Sequence, residues 1–313
     1  MKVLVTGANG FIGSNLVNTL LNRNHDVLAL CGESSKSNSI KHKNLKIFSC
    51  SMQEINLIES EILKFKPKKV FHLAAQSSPG ISLKNPSYTF ETNTLATINL
   101  LEILKKLSKK PRVILASSSS VYSKSNGKEI IAEDYLTEPI TMYGQSKLSM
   151  EQIGKLYVSQ NDMDIVIVRP FFLIGAGKNN DVCSAFAQDI VEVELKIKKN
   201  IEVGNLKIIR DFLDIKDGLE GFLIVSEKGI SGEVYNLSSG KEISLKEILS
   251  IFKKYSSSDI QEKIEKKWIR KIDDLYRVGN PSKLSKLGWN PKVDIEKSIQ
   301  DILDFWRLKK INK

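Results

Sequence analysis

Residues 2–13 read Lys2-Val3-Leu4-Val5-Thr6-Gly7-Ala8-Asn9-Gly10-Phe11-Ile12-Gly13, and their reading decides the fold. A strand-length apolar run meets three glycines spaced G-x-x-G-x-x-G, and an amphipathic stretch over 12–23 follows at once. In that context Gly7 permits a tight turn, Gly10 lets the backbone approach a pyrophosphate, and Gly13 lets the helix pack closely. The helix N-terminus adds unpaired N–H donors and a positive dipole end. Glycines alone are a weak signal; a strand before and a helix after them predict a dinucleotide site.

Outward from there, short Val/Ile/Leu runs alternate with longer amphipathic stretches through residue 170. Strands are expected at 2–6, 26–30, 45–48, 69–72, 112–116 and 164–169, and helices at 12–23, 54–65, 87–107 and 143–160. Runs with few polar alternations suit strands covered on both faces. The expected fold is therefore α/β: a doubly wound parallel sheet over 1–172, with a smaller C-terminal α/β substrate lobe over 173–313. Some segments of that lobe, about 205–240, are expected to return to the first domain. Beyond Pro170 come a Gly175-Ala176-Gly177 loop, a helix over 182–197, glycine-broken elements, and a last helix over 294–308 with Ile295, Ile299, Ile302, Leu303 and Trp306 on one face.

Composition narrows the function. The 313 residues are 41% hydrophobic and 27% charged, enough for one or two domains with a sizeable core. The net charge of +11 is mostly lysine, since only Arg23, Arg112, Arg169, Arg210, Arg270, Arg277 and Arg307 are arginines. The lysines are scattered rather than gathered on one face, which argues against a nucleic-acid partner. Cys31, Cys50 and Cys183 fit neither a zinc spacing nor a disulfide framework, so no metal is expected and a reducing compartment is. The longest apolar runs are strand-sized, far below the ~20 residues of a membrane helix. With strand residues directly after Met1, an unexported cytoplasmic protein is expected.

Candidate chemistry lies in two places. Tyr143 and Lys147 fall one turn apart at the start of a helical stretch, and a cation near a phenol of ordinary pKa ~10 favours its phenolate. Ser117, Ser118, Ser119 and Ser120 close the fifth predicted strand, at the carboxyl edge where open α/β sheets bind ligands. His72 is expected to end a buried strand and His25 to cap a turn, while Trp268, Trp289 and Trp306 are expected to pack in the core or lobe.

The glycine loop, the serine run before Val121-Tyr122 and Tyr143-x-x-x-Lys147 together resemble the extended short-chain dehydrogenase/reductases, the NAD-dependent epimerase/dehydratase family with a Rossmann-like domain. Further resemblance lies in Phe71-His72-Leu73-Ala74-Ala75-Gln76, Phe90-Glu91-Thr92-Asn93, Arg210-Asp211-Phe212 and Leu287-Gly288-Trp289-Asn290-Pro291. This set is similar to the GDP-mannose 4,6-dehydratase and GDP-4-keto-6-deoxymannose reductase group, and most to the reductases. The resemblance implies a catalytic Ser118, Tyr143 and Lys147, with Ser119 the fallback serine. It implies cofactor contacts from Gly7, Asn9, Gly10, Phe11, Ile12, Gly13, Leu73, Ala74, Ala75, Asn93, Tyr143 and Lys147. It places Gln76, Ser118, Ser119, Phe172, Arg210 and Arg270 against a nucleotide sugar, and implies a homodimer through a four-helix bundle built from 87–107 and 143–160.

Departures from the family pattern shape the expectation. Where NAD enzymes place an acid on the ribose, this chain has Cys31-Gly32-Glu33-Ser34-Ser35-Lys36. Glu33 is near and Lys36 can meet a 2′-phosphate, so the balance tips to NADP, with NAD the alternative. The acid near the adenine is replaced in Ser49-Cys50-Ser51. Dehydratases carry acidic residues after the catalytic serine, because eliminating water needs an extra acid and base; Ser119 and Ser120 disfavour that reaction. Phe172 stands where relatives have an Asn that addresses the nucleotide sugar. The expectation is reduction of the 4-keto group of a GDP-linked 6-deoxy sugar. The alternatives are a 4-epimerase with retained NAD, a 4,6-dehydratase, or a catalytically silent nucleotide-sugar-binding relative.

Overall fold

A computed structural model describes residues 1–32, 41–125, 127–268 and 274–311. Glu33, Lys36 and Arg270 lie outside them. Seven strands form one parallel sheet: β1 (Lys2–Thr6), β2 (Asp26–Cys31), β3 (Leu45–Ser49), β4 (Lys69–His72), β5 (Arg112–Ala116), β7 (Ile165–Pro170) and β12 (Val234–Leu237). Their order across the sheet is β12-β7-β5-β4-β1-β2-β3. The chain runs outward from β1 through β3, then returns to place β4 on the other side of β1. The topological switch therefore falls between β1 and β4, where Thr6 stands opposite His72, and such a switch is where open α/β sheets bind ligands.

Both faces of the sheet are covered, which is why its strands read as unbroken apolar runs. On one face Val3, Val5, Phe71 and Val168 pack against helices Phe11–Asn22 and Ile215–Lys228. On the other, Leu4, Val70, Leu115 and Ile167 meet Ile62, Leu100 and Met150. Each fully buried Leu, Ile or Phe of this kind contributes about 1.5–3 kcal/mol. A third cluster, with Phe186, Ile190, Phe252, Ile302 and Trp306, packs helices Val182–Glu194, Leu245–Tyr255 and Ile295–Ile311 together.

Smaller sheets join the two parts. β13 (Ile243–Ser244), β10 (Ile209–Arg210), β15 (Tyr276–Gly279) and β6 (Ile130–Ile131) pair in that order; β8 (Phe172–Ile174) pairs with β11 (Phe212–Asp214), and β9 (Ile201–Val203) with β14 (Glu262–Ile264).

Four expectations need correction. The helix expected over 87–107 is three pieces, Pro86–Phe90, a π-helical turn Glu91–Leu95, and Ala96–Lys105, because the wide turn carries Asn93 inward. That expected over 54–65 divides into a 3₁₀ segment Met52–Ile58 and helix Glu59–Phe65, and that over 182–197 ends at Glu194, ahead of the left-handed Lys196 at φ 60°. Trp289 and Trp306 are buried, but Trp268 is 58% exposed and donates to Glu202 at 3.2 Å. His72 is buried at the end of β4.

Candidate active site

The phosphate loop is shaped by close approach. Gly7 has φ +64°, and a Cβ there would sit 2.7 Å from the Ala74 nitrogen; a Cβ at Gly13 would strike the carbonyl of Gly7. Gly10 is the N-cap of helix Phe11–Asn22 and offers no side-chain cap, so the first-turn donors face an open cradle that suits an anion. Asn9 braces the loop to the end of β2: its Nδ2 donates to the Gly32 carbonyl at 3.0 Å, and its Oδ1 accepts from the Gly32 nitrogen at 3.3 Å.

Across the switch point, a chain of buried polar groups holds the segment after β4. Thr97 donates to the Asn93 carbonyl at 2.8 Å, so toward His72 its hydroxyl accepts, from Nε2–H at 2.8 Å. His72 Nδ1 then accepts from Thr6 at 2.8 Å, and Thr6 Oγ1 accepts from the Ala74 nitrogen at 3.2 Å. The tautomer follows from counting donors. Burial, with the Lys147 charge adding to it, lowers the His72 pKa to about 3, so the ring is a neutral structural link. Leu73 and Ala75 are half-buried and Ala74 buried. The Gln76 side chain is taken up internally, with its amide donating to Ser78 and Thr89 at 3.1 and 3.0 Å.

Asn93 joins this segment to the helix Met142–Asn161. Its Oδ1 accepts from the Gln76 nitrogen at 2.7 Å, and its Nδ2 donates to the Gln76 carbonyl at 3.0 Å and to Ser146 Oγ at 2.9 Å. That helix opens on Thr141, whose side chain accepts from the Gly144 nitrogen. A Cβ on Gly144 would collide with the Ser120 carbonyl, so glycine lets the helix start press against the serine turn.

At that contact the structure brings Ser118 and Tyr143 together, both half-buried, with the serine near enough to act on the ionisation of the phenol. Burial raises the phenol pKa and Ser118 opposes it. Lys147, one turn on, is buried with Nζ donating to the Ala116 carbonyl at 2.7 Å. Burial lowers its pKa to about 8, and Glu151 acts the other way. Ser117 is committed elsewhere, as a donor to Glu151. Ser119 is buried.

Sequence reading missed the charged layer beneath. Glu151 takes a two-pronged grip from Arg169, Nε to Oε1 at 2.9 Å and Nη2 to Oε2 at 2.6 Å, and the Arg169 guanidinium lies 4.6 Å from the Tyr122 ring centroid. The spacing Tyr143, Lys147, Glu151 was the available signal, since it sets a carboxylate on the face of the lysine.

At the lobe side, the Arg210 guanidinium lies 5.3 Å from the Phe172 ring centroid, and Phe172 packs on Phe212 at 6.0 Å. Next to it Asp211 is fully buried, accepting from the nitrogens of Ser239, Gly240 and Gly279 and from the Ser239 hydroxyl. Burial outweighs those four donors and raises its pKa to about 6. Among the described residues no His/Cys/Asp/Glu group is arranged to hold a metal, and no helix is long and apolar enough to cross a membrane.

A doubly wound sheet with a glycine cradle at its switch point is the architecture of the extended short-chain dehydrogenase/reductases. The family model of GDP-mannose 4,6 dehydratase matches residues 4–302, and the chain belongs to that family of NAD(P)-dependent nucleotide-sugar reductases, epimerases and dehydratases. A GDP-6-deoxy-D-mannose reductase of Pseudomonas aeruginosa is 26% identical over 309 residues, 97% of each chain. A GDP-6-deoxy-D-talose 4-dehydrogenase of Aggregatibacter actinomycetemcomitans is 30% identical over 291 residues, 91% of this chain and 90% of its own. The UDP-glucose 4-epimerase of Thermus thermophilus, solved in complex with NAD, superposes with a TM-score of 0.86 at 25% identity, covering 98% of this chain and 99% of that one.

Proposed function

We propose that this enzyme reduces the 4-keto group of a nucleotide-linked 6-deoxy sugar, GDP-linked, with NADPH preferred to NADH. The observation that carries the reading is the placement of Ser118 beside Tyr143 at the carboxyl edge of the sheet, with Ser119 and Ser120 rather than acids after it. Likeness to the Pseudomonas aeruginosa reductase along 97% of the chain supports it.

The glycine cradle with Phe11, Ile12 and Gly13 would hold the pyrophosphate of the cofactor, and Leu73 to Ala75 with Asn93 would flank it. When bound, the nicotinamide supplies a hydride for C4 of the sugar. Ser118 polarises the ketone oxygen by hydrogen bonding, and Tyr143 gives that oxygen its proton, so carbonyl, hydride and proton balance as an alcohol and an oxidised cofactor. Lys147 lies one turn from Tyr143 to hold the nicotinamide ribose and favour the phenolate left behind. Arg210 would meet the diphosphate with its planar fork. Glu33 and Lys36 remain the proposed ribose-side contacts, and Arg270 a second anion contact.

The test is oxidation of NADPH or NADH by the purified protein with GDP-4-keto-6-deoxymannose made in place. Tyr143→Phe is expected to lose about 10²–10⁴-fold in turnover while keeping cofactor affinity. Absence of turnover with either cofactor would overturn the reading. A second reading, 4-epimerisation, is favoured by the likeness to the Thermus thermophilus epimerase; NAD retained through purification would select it.

We also propose a homodimer through the helices of 86–105 and 142–161. Tyr88, Leu95 and Leu156 are exposed there at 43%, 52% and 52%, apolar surface that a symmetric partner would cover. A monomeric mass by light scattering at micromolar concentration would contradict it.

A further inference from the structure

We infer that Arg277 is a positioning residue, clasping the turn that begins at Ser118 and so holding that hydroxyl against Tyr143. The inference rests on the functional reading above for what the serine does.

The turn is weakly held by itself. Ser118 caps the 3₁₀ segment Ser119–Val121, its Oγ accepting from the Ser120 nitrogen at 3.1 Å. The backbone bonds within it, Val121 nitrogen to Ser118 carbonyl and Tyr122 nitrogen to Ser119 carbonyl, are long at 3.3 and 3.2 Å. On one side the turn meets Gly144, beside Tyr143. On the other it meets Arg277, which comes from β15 and is only 6% exposed. Arg277 Nη1 donates to the Ser119 carbonyl, while Nη2 donates to the Ser123 carbonyl at 3.2 Å and reaches the Tyr122 carbonyl at 3.5 Å. Asp274 fixes the remaining edge, accepting from Nε at 2.5 Å. One guanidinium thus gathers three carbonyls within five residues of the turn, a task for a rigid planar fork that the point charge of a lysine does not reproduce.

The placement gives the clasp a further consequence. β15 pairs with β10 in a register that sets Arg277 opposite Arg210. The strand pair carrying the proposed diphosphate contact therefore also grips the turn that begins at Ser118.

Arg277→Gln is measured in the wild-type chain and in a Ser118→Ala chain, in the NADPH assay. If Arg277 acts through Ser118, kcat falls at least about tenfold in the wild-type background and less than about threefold further in the Ser118→Ala background, with the KM for NADPH within about twofold. Equal proportional losses in the two backgrounds, or an unchanged kcat, would overturn the proposal. Arg277→Lys, which keeps a charge beside Asp274, carries the same cycle should the glutamine variant not fold. Amide exchange in the ligand-free protein separates this idea from the functional reading. Segment 118–123 should exchange at least about tenfold faster in the variant, with helix Phe11–Asn22 unchanged. Unaltered exchange in 118–123 sinks the clasp even if wild type reduces the ketosugar. A wild type without turnover sinks the functional reading, leaving exchange to decide the clasp.

Discussion

Asn93 ties the start of the Tyr143 helix to the segment after β4: its Nδ2 donates to Ser146 Oγ at 2.9 Å, and Ser146 Oγ in turn donates to the Tyr143 carbonyl at 2.8 Å. Asn93 is fully buried, and it sits in a π-helical turn, an irregularity frequent at functional sites. Replacing it with alanine strands the Gln76 nitrogen and carbonyl, each at about 1–3 kcal/mol. Asn93→Ala is therefore expected to lose about 2–6 kcal/mol in urea unfolding, together with most turnover. A loss under about 0.5 kcal/mol would contradict the bracing role.

The sequence displays some of this and conceals the rest for physical reasons. Lys2–Thr6, Lys69–His72 and Arg112–Ala116 stand where their apolar runs end, because strands buried on both faces tolerate few polar interruptions. Tyr143 and Lys147 declare themselves by helical spacing. The turn at Asn93 does not, since a single widened turn leaves the apolar periodicity of its neighbours intact. Arg277 is equally hidden: the carbonyls it holds lie more than 150 residues away, at Ser119 to Ser123, and no local pattern announces a contact made by the tertiary fold.

Acid stability offers a second prediction. His72 has its pKa lowered to about 3 from 6.5, so the unfolded chain takes up a proton first as the pH drops. Its contribution is whole above pH 6.5 and is lost as the pH falls toward 3. Asp211 acts with the opposite sign: its pKa is raised from 3.8 to about 6, so its contribution is whole below 3.8 and is lost as the pH rises through 6. Lys147, lowered to about 8, acts above this window. A His72→Gln variant keeps the Asp211 effect and removes the other. It should be less stable than wild type near neutrality, and between about pH 7.5 and 5 it should gain through Asp211 where wild type also bears the His72 loss, read as urea midpoints. Parallel pH curves for the two proteins would count against the neutral, buried imidazole.

Phe172 supports Arg210 instead of offering a hydrogen bond of its own, with the guanidinium 5.3 Å from its ring centroid. A cation over an aromatic face is worth about 0.5–2 kcal/mol. Phe172→Asn should thus raise the KM for the nucleotide sugar by about 2–30-fold, with a smaller change in kcat, whereas Phe172→Tyr, which keeps the ring, should stay near wild type. A lower KM in Phe172→Asn would show that the missing amide matters more than the aromatic support.

The proposed preference for NADPH would be set at the end of β2. Cys31 is buried where the sheet edge faces the bracing pair of Asn9 and Gly32, and burial pushes its thiol pKa up, so it brings no negative charge to that edge. An acid in this position accepts hydrogen bonds from ribose hydroxyls and repels a 2′-phosphate. Cys31→Asp is accordingly expected to move the ratio of kcat/KM for NADPH over NADH toward NADH by about tenfold or more, a shift of at least ~1.4 kcal/mol. The carboxylate must stay ionised in a confined place, so thermal unfolding is measured alongside to separate a weakened fold from altered preference. If the ratio is the same in both proteins while the variant stays folded, discrimination does not lie at Cys31, and the ribose-side contacts proposed for Glu33 and Lys36 become the positions to change.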